Sequence, residues 1–127
     1  MIKKKKIKLL ILGGNGMVGH VLLNNLKNFH EVKATLKDKK ENYKNLNNGD
    51  YFDNVNLLNF LSIKEIINKF NPEIIINAAG VTKQRINEYK PSQVEIINSI
   101  FPHKLARFCN NMNIRLIHLS TDCVFSG

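Results

Sequence analysis

The chain has 127 residues and a formal net charge of +9, enough for one domain with a core and too short for a cofactor domain plus a substrate domain. The excess is lysine rather than arginine, scattered apart from Lys3 to Lys6 and mixed with asparagine and isoleucine. A nucleic-acid site gathers arginines and aromatics on one face, so that partner class is not expected.

The two cysteines, Cys109 and Cys123, lack metal-ligand spacing, and no apolar run approaches membrane-spanning length. The run at 7–12 follows lysines as in a signal peptide, but it is short and lacks a cleavage pattern. A soluble cytoplasmic protein with reduced thiols, no metal and no membrane partner is expected.

The organising stretch is 7–26: an apolar run, a glycine turn, then apolar residues Val18, Val21, Leu22, Leu23 and Leu26 at helical spacing. The turn spaces Gly13, Gly16 and Gly19 as G-x-x-G-x-x-G. Gly13 lets the chain leave a buried strand, Gly16 lets backbone approach a pyrophosphate, and Gly19 lets the helix sit close to the sheet. The free N–H groups and dipole at the helix start favour phosphate. Gly13, Asn15, Gly16, Met17, Val18 and Gly19 are therefore expected to hold a dinucleotide. A plain connecting loop is the alternative, and the strand before and helix after favour the dinucleotide. The glycine spacing resembles that of the extended short-chain dehydrogenase/reductase superfamily.

Residues 31–36 alternate as a second strand, with Val32, Ala34 and Leu36 on one face. Residues 37–48 read as a polar loop, and Asn48-Gly49-Asp50 as a turn. Tyr51, Phe52 and Val55 suggest a short third strand. Residues 59–70 have helical spacing with Asn59 as cap, and Asn71-Pro72 ends that helix. The apolar run at 73–77 fits a central strand buried on both faces. Pro91 opens a long helix reaching about Met112, with Val94, Ile97, Leu105, Phe108 and Met112 inward and, from Pro102, a kink or break near Ile100. Residues 114–119 form the fifth strand. The alternation predicts an α/β, Rossmann-type doubly wound parallel sheet in order 3-2-1-4-5 that stops after its fifth strand.

Ligands of such sheets bind beyond the carboxyl ends of the strands. Lys37 lies nearer the end of the second strand than Asp38, which favours the 2′-phosphate of NADP, with NAD possible; a solvated loop charge is the alternative. The fourth strand ends in Asn77-Ala78-Ala79-Gly80, where the small residues Ala78, Ala79 and Gly80 let backbone pass close to a coenzyme.

The segments ILGGNGMVG, INAAGVT and LSTDCVFSG together resemble the dTDP-4-dehydrorhamnose reductase family of nucleotide-sugar enzymes, over its amino-terminal half. The resemblance implies several roles. Asn56, with Leu57 beside it, takes the place of an aspartate that touches adenine, with Asp53 as the competing residue. Asn98 supports the site from the long helix. Ser120 and Thr121 fall in the S-T-D segment, and Thr121 would donate a hydrogen bond to the substrate carbonyl. Cys123 stands where many relatives have tyrosine and reads as a packing variant.

The superfamily's Tyr-x-x-x-Lys pair does not occur: Tyr43, Tyr51 and Tyr89 are followed four residues on by Asn47, Val55 and Gln93. Residues 1–127 are thus expected to be an NAD(P)-binding domain without its substrate-binding region, binding a dinucleotide and catalysing little alone. In a full-length enzyme the substrate is a nucleotide sugar, and a homodimer is left open. A nucleotide-sugar epimerase or dehydratase is the nearest alternative, and a non-catalytic dinucleotide-binding module is the other.

Overall fold

The computed structural model describes residues 5–14, 16–39, 50–80 and 87–119. Within them β1 (Lys8–Leu12), β2 (Glu31–Thr35), β3 (Tyr51–Phe52), β4 (Ile74–Asn77) and β5 (Arg115–His118) form one sheet. Every pairing is parallel and the order is β3-β2-β1-β4-β5, as the strand and helix alternation predicts. The reversal of order lies between β1 and β4, so the carboxyl ends of those two strands flank the crevice.

Alternation along β1 divides the core. Leu10 and Leu12 join Val55, Ile63, Ile67, Ile75, Phe101, Leu105 and Cys109 on one face. Leu9 and Ile11 join Leu23, Val32, Ala34 and Ile76 on the other. The first face is covered by α2 (Phe60–Phe70) and α4 (Phe101–Asn111), and the second by α1 (Met17–Leu26).

The caps follow their residue chemistry. The Asn59 side chain accepts from the Leu61 N–H at 3.2 Å to start α2. Asn71 ends it in the left-handed region at φ 53, its N–H donating to the Ile67 carbonyl.

Three expectations need correction. Val18 and Val21 are exposed, because the inward stripe of α1 runs through Gly19 and Leu23. Val55 is buried but lies outside β3, since Asn54 turns left-handed at φ 54 after Phe52. Met112 is 48% exposed at the end of α4, and buried Phe101 and Cys109 take the inward positions beside Leu105.

Ahead of Pro102 the helix is irregular where a kink or break was expected, near Ile100: α3 (Pro91–Glu95) passes into a π-helical turn (Ile96–Ile100) and then α4. The Phe101 N–H bonds back to the Ile96 carbonyl, one residue further than in an α-helix. That wider turn makes room ahead of a proline that has no N–H to give and whose ring would strike the carbonyl four residues back.

Burial pushes the Cys109 thiol from 9.0 up to about 11. Iodoacetamide at pH 8 is therefore expected to modify Cys109 at least about tenfold more slowly in the native chain than in urea, as peptide mapping will report. The native state favours the protonated thiol. Its contribution to stability is full below pH 9.0 and lost as pH rises through about 11.

Candidate functional site

The glycine turn is fixed by β2. The Gly13 N–H donates to Thr35 Oγ1 at 3.0 Å, and the Gly14 N–H donates to the Thr35 carbonyl at 2.8 Å. Thr35 is buried, and it thus clamps the turn from both its side chain and its backbone. Gly13 sits at φ +89, and a Cβ there would lie 2.8 Å from Ala79 Cα. At Gly19 a Cβ would run into the Gly13 carbonyl oxygen, so glycine is what lets α1 lie against the turn.

Gly16 differs from both. Its backbone, φ −79 and ψ 161, suits any residue, and a Cβ would meet only the Gly13 carbonyl oxygen, at an ordinary 3.5 Å, among the described residues. No side chain caps the start of α1 among those residues, and no acidic residue lies in its first turn. The positive end of that helix therefore has no counter-charge of its own.

On the other side of the crevice the fully buried Asn77 shapes the end of β4. Its Oδ1 accepts from the Ala79 N–H at 3.1 Å, and its Nδ2 lies 3.1 Å from His118 Nδ1 at the end of β5. The chain leaves β4 in a small-residue bend, Ala78-Ala79-Gly80, packed against the glycine turn.

Between these walls lies a cleft of about 110 Å³, partly open to solvent. Of the sequence-predicted residues, Gly13, Gly16, Lys37, Asn56, Leu57, Ala78, Ala79 and Gly80 line it. Met17, Val18, Gly19 and Asn98 are not in the lining: Met17 and Val18 are exposed, Gly19 is buried, and Asn98 is half-buried in the π-helical turn. Asn15, Ser120 and Thr121 lie outside the described residues, as does Cys123. Asp53, the rival to Asn56, lines a separate hollow with Glu65 and Lys69. Asn56 Oδ1 accepts from the Leu58 N–H at 3.0 Å, which holds the bend after Val55 at the cleft edge.

Thr35, Val55, Leu58, Tyr89 and Ile97 also line the cleft and were not expected there. Thr35 shares its strand face with Glu31 and Lys33, so the alternation gave no sign that it would be buried. Tyr89 had no signal either, because its contact with Lys37 joins residues far apart in the chain. Among the described residues no group of acidic, histidine or cysteine side chains is arranged to hold a metal. No helix is long and apolar enough to cross a membrane among those residues.

The family profile of the RmlD substrate binding domain matches residues 7–127. The chain is 29% identical over 120 residues to the dTDP-4-keto-6-deoxy-D-glucose reductase of Streptomyces niveus, covering 93% of the chain and 36% of that protein. It is 28% identical over 124 residues to methionine adenosyltransferase 2 subunit beta of Xenopus laevis, covering 93% of the chain and 33% of that protein. Among solved structures it is similar to the dTDP-4-dehydrorhamnose reductase of Bacillus anthracis str. Ames in complex with NADP, with a TM-score of 0.69 and 24% identity. That match covers 99% of the chain and 40% of the other. The chain spans about a third of the length of the curated relatives it matches.

Proposed function

The chain belongs to the RmlD substrate binding domain family, and from that premise we propose that it is the coenzyme-binding portion of a reductase acting on a 4-keto nucleotide sugar. The observation that carries the reading is Gly16. It lines the cleft at the start of an uncapped helix, and no described residue requires it to be glycine. A ligand pressed against the backbone would require it, and a diphosphate at a helix start is such a ligand.

The cleft residues fit a nicotinamide dinucleotide. The turn at Gly13 and Gly16 and the bend at Ala78, Ala79 and Gly80 would take the diphosphate and its riboses. Asn56, Leu57 and Leu58 would border the adenine, and Lys37 would meet a 2′-phosphate. NADP is the form bound in the Bacillus anthracis relative, and it is the form that a lysine rather than an acid at the end of β2 favours. When bound, such a coenzyme supplies the hydride. This chain's own residues would hold it, and Thr121, by its place in the Ser120-Thr121-Asp122 segment, would hydrogen-bond the sugar carbonyl. The absent Tyr-x-x-x-Lys pair means that protonation of the product oxygen is not assigned to these residues.

Calorimetric titration of the chain with NADPH and NADH tests the reading. The expected result is saturable binding with NADPH about tenfold tighter, from one added charge-assisted contact of about 1.5 kcal/mol. A tenfold preference for NADH overturns the assignment of NADP, and no binding of either by a folded sample overturns the reading itself.

A second reading is a dinucleotide-binding module without chemistry of its own. It is supported by the likeness to a protein named as a subunit of methionine adenosyltransferase rather than as a reductase. Coenzyme binding without turnover of a 4-keto nucleotide sugar by the full-length protein would favour it.

A further inference from the structure

Lys37, exposed just beyond the end of β2, rests on an aromatic ring. Its Nζ lies 4.4 Å from the centre of the Tyr89 ring, and both side chains line the cleft. Two fixed pieces of backbone make the contact. The exit from β2 is tied down by the Leu36 N–H to the Phe52 carbonyl at 2.8 Å, and by the Val55 N–H to the Leu36 carbonyl at 2.8 Å. Tyr89 precedes α3, whose entry is set by Pro91 and by a hydrogen bond from the Lys90 N–H to Gln93 Oε1 at 2.9 Å.

A lysine left to itself spreads its ammonium over many rotamers and loses that freedom on meeting an anion. An aromatic face beside the ammonium attracts it and leaves its remaining N–H donors free. We infer that Tyr89 is a positioning residue that sets coenzyme selectivity, holding the Lys37 ammonium at the cleft edge for the 2′-phosphate of the coenzyme. The inference rests on the coenzyme reading of the cleft and adds to it a residue that acts on one form of the coenzyme only.

The ring and its hydroxyl are separable. Tyr89→Phe keeps the face, whereas Tyr89→Leu keeps apolar bulk and removes it. In calorimetric titrations of the whole chain, Tyr89→Leu is expected to weaken NADPH by about three- to tenfold and to leave NADH within about twofold. Tyr89→Phe is expected to match the parent for both. In a Lys37→Ala background, Tyr89→Leu is expected to add nothing further, which separates action through the lysine from a local packing effect.

Equal weakening of NADPH and NADH by Tyr89→Leu would make the ring a wall for the shared part of the coenzyme and overturn the inference. So would loss on Tyr89→Phe, which would point to the hydroxyl, or an unchanged NADPH affinity in Tyr89→Leu. Each of these outcomes leaves the cleft itself standing as a coenzyme site. A parent chain that is folded by circular dichroism yet binds neither coenzyme removes both.

Discussion

Replacing Gly16 with valine is expected to weaken NADPH binding by about 100-fold or more while leaving the fold intact. A side chain at this position would meet the occupant of the cleft, not the protein: the nearest described atom to a Cβ is 3.5 Å away and the backbone is in an ordinary extended conformation. A diphosphate held off the turn would lose at least two charge-assisted hydrogen bonds from backbone amides. At about 1.5 kcal/mol each, that is about 3 kcal/mol, or a little over two powers of ten in affinity. The cost to folding is that of changing an N-cap glycine, about 1 kcal/mol at most. Calorimetry and a urea melt on the same variant separate the two effects. An unchanged NADPH affinity in a folded Gly16→Val sample would remove the proposed function.

Gly13→Ala is expected to show the reverse balance, with a loss of about 3 kcal/mol of stability. Two costs act in the same direction. The residue sits at φ +89, where an L side chain is strained by about 1–2 kcal/mol. The added Cβ would also lie 2.8 Å from Ala79 Cα, a backbone atom in the bend that leaves β4. Forcing a methyl into such a contact costs about 1–3 kcal/mol. For a chain of this length the midpoint of thermal unfolding is expected to fall by about 10 °C, measurable by circular dichroism. A melt within about 2 °C of the parent would show that the turn yields, and that its close approach to β4 is not a constraint on folding.

Read from the sequence, the three glycines have separate reasons. In the structure Gly13 and Gly19 answer to atoms of the protein itself, and among the described residues Gly16 does not.

Much of the architecture follows from local rules. The isoleucine run that became β4, the Asn59 and Asn71 caps of α2 and the proline that opens α3 all act through neighbours in the chain. Tertiary packing decided the rest. Apolar residues on α1 cover too wide an arc for all to face the sheet, and close approach at Gly19 selects the Leu23 stripe, leaving Met17 86% exposed. At Pro102, a proline that could have broken the helix is absorbed in a π-helical turn, because Phe101 and Leu105 must both reach the core across it.

The same division holds for the cleft. The glycine turn, Lys37 and the Ala78-Ala79-Gly80 bend were legible because strand ends are marked in the sequence by where apolar runs stop, and parallel strands deliver those ends to one edge of the sheet. Asn56 came from the family resemblance. Thr35 and Tyr89 enter only through tertiary contacts, of Thr35 with Gly13 and of Tyr89 with Lys37, made over 22 and 52 residues of sequence. Periodicity and turn chemistry act over a few residues and so determine elements and their order. Which side chains meet at the site is set by packing between distant segments, and that only the folded chain decides.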